Sequence, residues 1–70
     1  MAQREVVVHT RPADPYGVRA QALLKAKGIP FIVKKLAAGD CYITIGEWRG
    51  TFEELGSLDL RGELDELLQP

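Results

Sequence analysis

The pattern of apolar and polar residues predicts a strand, a helix and a second strand in the first half of the chain. The β-branched run EVVVHT at 5–10 predicts a strand, and its continuous apolar middle is typical of a central strand covered on both faces. Residues 14–28 predict a helix, with Asp14 as its N-cap and Pro15 at the first helical position. A second strand over 29–36 completes a βαβ unit, so the two strands are expected to be parallel.

The second half of the chain predicts two short strands followed by helix. Residues 41–45, CYITI, predict a third strand, and 46–50 contain a turn and at most a brief fourth strand. A second helix is predicted over 51–62. The remaining residues, 63–70, predict one or two further helical turns.

Both predicted helices carry apolar residues at helical spacing, which predict the faces that they bury. In the first helix these residues are Val18, Ala22, Leu23 and Ala26. In the second helix they are Phe52, Leu55 and Leu58, with Leu60 as a further candidate. Thr51 and Glu54 have the Thr-x-x-Glu spacing of a capping box, which fixes the start of the second helix.

Length and composition indicate a small folded protein. The chain has 70 residues, of which 46% are hydrophobic and 27% charged, so we expect one domain over 1–70. No apolar run approaches the ~18 residues of a membrane span, and the N-terminus lacks the apolar core of a signal peptide. We therefore expect a cytoplasmic protein without membrane contact.

Cysteine and histidine occur once each, as Cys41 and His9, so one chain forms neither a disulfide nor a four-ligand zinc site, and no metal is expected. The net charge of −1 is unevenly spread. Residues 1–35 carry seven Lys and Arg against two acids, whereas 36–70 carry two Arg against eight acids. We interpret this as two solvated faces of opposite sign and expect no nucleic-acid binding, because no aromatic residues are interleaved with the lysines.

Three stretches together resemble the glutaredoxins, small members of the thioredoxin-fold superfamily. VVVHTRPADPYGVRAQALLKAKGIPF resembles the family's first strand, active-site turn and first helix, with Pro15 and Tyr16 in the middle of its Cys-Pro-Tyr-Cys motif. YITIGEW is similar to the third strand and its turn, and GTFEELGSLDLRGELDELL to the last helical segments. The resemblance implies a thioredoxin-like α/β fold of glutaredoxin type, βαβ-ββα, with a mixed four-stranded sheet of order 2-1-3-4.

The chain departs from the family where the family's chemistry lies. By the resemblance, Asp14 replaces the nucleophilic cysteine and Gly17 the resolving one, which excludes a dithiol or monothiol cycle at these positions. Cys41 falls where the family has a cis-proline. The connection AAGD, 37–40, is too short for the helix that the family places between the second and third strands, so a shortened member without that helix is expected.

The resemblance also implies a glutathione pocket, with no other cofactor. Its candidate ligand-binding residues are Arg11, Tyr16, Asp40, Cys41, Gly50, Thr51, Phe52 and Glu53. The helix start at Thr51 supports this pocket independently, because its free N–H groups favour a carboxylate. Glu53 in the first turn can pair with an ammonium group.

The missing helix predicts two geometric consequences. The 37–40 connection is long enough to cross directly over the end of the first strand, so it is expected to run close to Asp14 and partly roof the site. The deletion also uncovers one face of the sheet, and exposed apolar surface there favours a homodimer or a protein partner.

Three functions are compatible with these residues. The first is a redox-inactive glutaredoxin-like protein that binds glutathione or a protein partner. The second is a glutathione-dependent thiol-disulfide oxidoreductase that uses Cys41, although Asp14 and Asp40 nearby are expected to raise the pKa of its thiol. The third is an associating subdomain or relic with no independent activity.

Overall fold

The chain folds as a four-stranded sheet with three helices on one face, in a computed structural model that describes residues 3–69. The elements in chain order are β1 (Val6–Thr10), α1 (Pro15–Ala26), β2 (Ile32–Lys35), β3 (Tyr42–Ile45), β4 (Trp48–Gly50), α2 (Phe52–Leu60) and α3 (Leu64–Leu68). Pro70, the last residue of the predicted terminal helix, lies outside the described residues.

The strand order 2-1-3-4 and the mixed strand directions confirm the predicted fold class. β1 pairs with β2 in parallel and with β3 antiparallel, and β4 pairs antiparallel with β3. β2 is shorter than the predicted 29–36, since Pro30 has no N–H to donate to a strand ladder. The connection from β2 to β3 contains no helix, as its length predicted.

The core lies between the sheet and the helices. β1 and β3 contribute Val6, Val8, Ile43 and Ile45, and the helices contribute Ala20, Leu24, Leu55, Leu64 and Leu68. All three helices therefore pack against the same face of the sheet, because side chains alternate between the two faces of a strand. None of the helices within residues 3–69 combines the length and apolar character needed to span a membrane.

The buried face of α1 differs from the predicted one. Gly17, Ala20 and Leu24 are buried, whereas Val18, Ala22 and Ala26 are exposed and Leu23 is only partly buried. The prediction was wrong because α1 turns the adjacent stripe of Gly17, Ala20 and Leu24 toward the core. Leu24 is fully buried, but the two small residues before it carry little hydrophobic signal. In α2, Leu55 is buried as predicted, but Leu60 is 89% exposed and does not belong to the apolar face.

The opposite face of the sheet has no helix over it within the described residues. Of the exposed apolar surface predicted for this face, Ile32 is present, and Val7 is buried between its neighbouring strands. Lys34 and Arg49 are exposed on the same face, which the sequence analysis did not predict. The homodimer expected through this face stays a prediction.

Candidate functional site

The first wall of the candidate site is the turn that leads into α1. Asp14 is the N-cap, as predicted, and its Oδ1 accepts a hydrogen bond of 2.9 Å from the backbone N–H of Tyr16. Ala13 has a φ of 63°, a left-handed conformation that costs a residue with a side chain about 1–2 kcal/mol. The turn thus presents a carboxylate to the helix N–H groups, an arrangement worth about 0.5–2 kcal/mol relative to alanine.

The second wall is the start of α2. Thr51 Oγ1 accepts from the backbone N–H of Glu54 at 3.2 Å, and Glu54 Oε1 accepts from the backbone N–H of Thr51 at 3.0 Å. These two bonds confirm the predicted capping box. The box leaves the N–H groups of Phe52 and Glu53 at the helix start, where the helix dipole is positive.

The third wall is the end of the loop between β2 and β3. Asp40 and Cys41 lie across from Asp14, and together with Tyr16 and the α2 start they enclose a cleft of about 350 Å³. Ala37, Ala38 and Gly39 are exposed and do not line this cleft. The loop therefore borders the site instead of roofing it, contrary to the expectation from its length.

The cleft combines aromatic and acidic side chains. The rings of Tyr16 and Phe52 lie 6.4 Å apart between centroids and are tilted by 45°. Asp14, Asp40 and Glu53 supply carboxylates, and within residues 3–69 no lysine or arginine lines the cleft. Positive potential reaches the cleft from the starts of α1 and α2, and the Arg19 guanidinium lies 5.7 Å from the centroid of the Tyr16 ring that lines it.

Cys41 is a poorly activated thiol. Cys41 is only 6% exposed. Burial and the charge of Asp14 raise the pKa of its thiol above the ordinary value of 9.0, and the opposing effect of Thr10 as a hydrogen-bond partner is smaller. The thiolate is the nucleophile in disulfide exchange, and only a small fraction of Cys41 is ionised to the thiolate at neutral pH. Its peptide bond is not cis, in contrast to the family's proline at this place.

Six of the eight predicted ligand-binding residues lie together around the cleft: Tyr16, Asp40, Cys41, Thr51, Phe52 and Glu53. Gly50 lies one residue away and lines the adjoining groove beside Trp48, whose ring would be 2.5 Å from a Cβ at Gly50. Arg11 does not line the cleft. It lines a neighbouring groove with Val18 and Val33, and Asp14 borders both. The structure therefore removes from the cleft the one cation that the sequence had assigned to it.

Gly17, the other position of the family's motif, does not face the cleft. A Cβ at Gly17 would overlap the Thr10 hydroxyl and lie 2.7 Å from Thr10 Cβ. Only glycine fits between α1 and β1 at this point without a shift of one of them. This close approach was not predicted, because it depends on how near the helix lies to the strand.

The sequence analysis also did not predict a cluster of aromatic and basic side chains on the uncovered face of the sheet. The rings of His9 and Tyr42 are stacked at 4.3 Å, and the guanidinium of Arg49 lies 4.1 Å from the Tyr42 ring centroid. Strand alternation places the three on one face, but recognising the stack requires the register of β1, β3 and β4.

The sheet order 2-1-3-4, the mixed strand directions and the helix start beside Cys41 are those of a thioredoxin-fold protein. Solved glutaredoxin structures match the chain over nearly its whole length. Glutaredoxin from Brucella melitensis shares 30% identity with a TM-score of 0.85, covering 99% of this chain and 92% of that one. A structure described as "Metal Binding of Glutaredoxins" shares 31% identity with a TM-score of 0.80, covering 96% and 90%.

The dithiolic glutaredoxin 2-C-Grx1 from the pathogen Trypanosoma brucei brucei matches at 27% identity and a TM-score of 0.80, covering 94% of this chain and 88% of that one. No family model matches the sequence, and no curated protein does. On the identity and coverage of the structural relatives, the chain belongs to the glutaredoxin family.

Proposed function

We propose that this protein is a redox-inactive glutaredoxin that binds glutathione, or a peptide segment of a protein partner, without exchanging thiols. The observation that carries the proposal is the carboxylate of Asp14 at the start of α1, hydrogen-bonded to the helix at 2.9 Å. A helix start stabilises a thiolate through its dipole and its free N–H groups. In this protein the Asp14 carboxylate interacts with the dipole and the N–H groups instead of a thiolate, and a carboxylate forms no mixed disulfide.

The cleft supports a ligand with charges of both signs. Its three carboxylates favour an ammonium group, and the free N–H groups at Phe52 and Glu53 favour a carboxylate. Glutathione carries an ammonium group and two carboxylates, and the volume of about 350 Å³ suits a short peptide. The rings of Tyr16 and Phe52 offer apolar contact to its middle.

A second candidate function rests on Cys41, because its side chain lines the same cleft. In this alternative the Cys41 thiolate attacks a glutathione mixed disulfide, takes over the glutathionyl group and releases the other thiol. A second glutathione then regenerates Cys41 and leaves as oxidised glutathione. The raised pKa of Cys41 disfavours this cycle at neutral pH.

Titration of reduced glutathione into ¹⁵N-labelled protein tests the proposal. Amide shifts are expected to cluster at Tyr16, Cys41 and 51–53. Glu53→Gln is expected to weaken binding about twofold to fivefold, as loss of one exposed ion pair does. Glu66→Gln, an exposed glutamate of α3 outside the cleft, is the matched control and is expected to leave the affinity unchanged.

A turnover assay separates the two candidate functions. With hydroxyethyl disulfide and glutathione, the protein is expected to leave the uncatalysed rate unchanged. Catalysed turnover that disappears in Cys41→Ser would establish the oxidoreductase and reject the redox-inactive function. Absence of amide shifts at millimolar glutathione would reject glutathione as the ligand.

A further inference from the structure

The uncovered face of the sheet carries a built cluster of basic and aromatic side chains. We call this cluster the basic sheet face, defined as His9 on β1, Lys34 on β2, Tyr42 on β3 and Arg49 on β4. The register places Lys34 and Tyr42 directly beside His9 on either side. The face lies opposite the core. Its β3–β4 end adjoins the cleft, because Tyr42 and Arg49 line a groove with Asp40, Cys41 and Thr51.

Contacts between these side chains hold the cluster together. His9 stacks on Tyr42 with an angle of 10° between the rings, and its Nε2 lies within hydrogen-bond distance of Thr44 Oγ1, 3.3 Å. Arg49 covers the Tyr42 ring from the β4 side at 4.1 Å. Because β3 lies between β1 and β4, Tyr42 is held between His9 and Arg49, and both ring faces are occupied.

No ion pair within residues 3–69 neutralises Lys34 or Arg49 on the basic sheet face, although Asp40 and Glu54 line a groove beside Arg49. None of the four strands contains an aspartate or a glutamate. Among residues 3–69, the ion pairs are Lys27 with Asp59 and Arg61 with Glu63, so neither Lys34 nor Arg49 has an acidic partner. Burial lowers the pKa of His9, and the charges of Lys34 and Arg49 on either side of it lower that pKa further.

We propose that the basic sheet face binds an acidic segment of a partner protein. Arg49 offers a planar set of N–H donors that fits a carboxylate. Lys34 supplies a second cation at the other edge of the sheet, three strands away. Ile32 is exposed on the same face, beside buried Val7, and provides apolar contact next to Lys34. An acidic segment with an apolar residue among its carboxylates is therefore the complementary partner.

Two other occupants fit the face less well. A nucleobase would need a free aromatic ring face, and those of Tyr42 are occupied by His9 and Arg49. A second copy packed face to face would bring Lys34 and Arg49 against the same residues, and like charges repel. The charges and the stack thus favour carboxylates over bases and over self-association.

The test uses the full chain and a short capped peptide of glutamates with one leucine, at physiological ionic strength. Amide shifts on the unmodified protein are expected at His9, Lys34, Tyr42 and Arg49. No shifts are expected at Tyr16, Phe52 and Glu53, which line the cleft but not the groove beside Arg49. The double variant Lys34→Gln/Arg49→Gln is expected to weaken binding about tenfold. A double variant of matched charge, Lys25→Gln/Arg61→Gln, changes exposed residues elsewhere and is expected to leave the affinity within about twofold.

Three results would overturn the proposal. The first is an equal loss of affinity in the two double variants, which would mean attraction by net charge alone. The second is tighter binding of single-stranded oligothymidylate than of the peptide at the same residues. The third is absence of shifts on the basic sheet face at millimolar peptide. The shift map on the unmodified protein decides the matter even where a variant fails to fold.

Discussion

At the scale of single residues, the requirements of a thiol site are divided between Asp14 and Cys41. Asp14 occupies the helix start that stabilises an anion, but it has no sulfur. Cys41 has the sulfur, but it lies in a buried position where a neighbouring carboxylate opposes its ionisation. Neither residue combines nucleophile and activation, which is the physical basis for proposing a protein without thiol turnover.

The pH dependence of Cys41 alkylation tests this division. The iodoacetamide rate is expected to rise with a midpoint above pH 9.0, because burial and Asp14 favour the neutral thiol. Cys41 ionises at a lower pH in the unfolded chain than in the folded protein. The stability that its neutral thiol contributes is therefore fully present below the unfolded-state pKa and is lost as pH rises through the folded-state pKa. Asp14→Asn is expected to lower the midpoint but not to restore the ordinary value of the thiol, since burial is the larger cause and remains.

Asp65→Asn is the control for this measurement, because it removes an exposed carboxylate near Lys27 rather than near Cys41. It is expected to leave the midpoint unchanged. A midpoint well below 9.0 in the unmodified protein would show an activated thiolate and would favour the oxidoreductase that uses Cys41.

At the scale of elements, caps and strands were predictable and packing faces were not. Asp14 and the pair Thr51 and Glu54 are local signals, and both helices start where these residues predicted. The buried face of α1 was mispredicted because it combines the fully buried Leu24 with Gly17 and Ala20, which have almost no apolar surface. Periodicity weighs side-chain hydrophobicity, so a stripe of one large apolar residue and two small ones gives a weak signal.

Two helical glycines provide a matched test of this packing. Gly17→Ala is expected to destabilise the protein by about 1–3 kcal/mol, because the new methyl group overlaps Thr10 and forces α1 or β1 to move. Gly56→Ala is expected to stabilise it by about 0.5–1 kcal/mol, because nothing lies within 4 Å and alanine favours helix. Urea unfolding of both variants measures the two free energies.

Stabilisation by Gly17→Ala similar to that by Gly56→Ala would contradict the close approach of α1 to β1. Gly17→Cys meets the same obstacle with a larger side chain. Restoring both cysteines, by Asp14→Cys and Gly17→Cys together, is therefore expected to give weak turnover compared with an ordinary glutaredoxin.

At the scale of the whole molecule, the fold followed from pattern and resemblance, but the charges of its surfaces did not. The positions of Tyr16 and 51–53 could be predicted because short elements carry them to the cleft. The place of Arg11 depends on the turn geometry before Asp14, and the turn directs it to another groove. Exposed apolar surface was expected on the uncovered sheet face because a helix was missing, and the exposed Lys34 and Arg49 on this face were not predicted.

These charges determine whether the chain associates with itself. Two copies joined through the uncovered face would set Lys34 and Arg49 against each other, and the edge strand β2 carries two exposed lysines. The melting temperature is therefore expected to stay constant over about a hundredfold range of protein concentration, because a monomer gains nothing by mass action. Calorimetry at the lowest and the highest protein concentration measures the melting temperature, and analytical ultracentrifugation gives the mass of the particle in solution. A melting temperature that rises with concentration would instead identify an associating subdomain, the third function considered from the sequence.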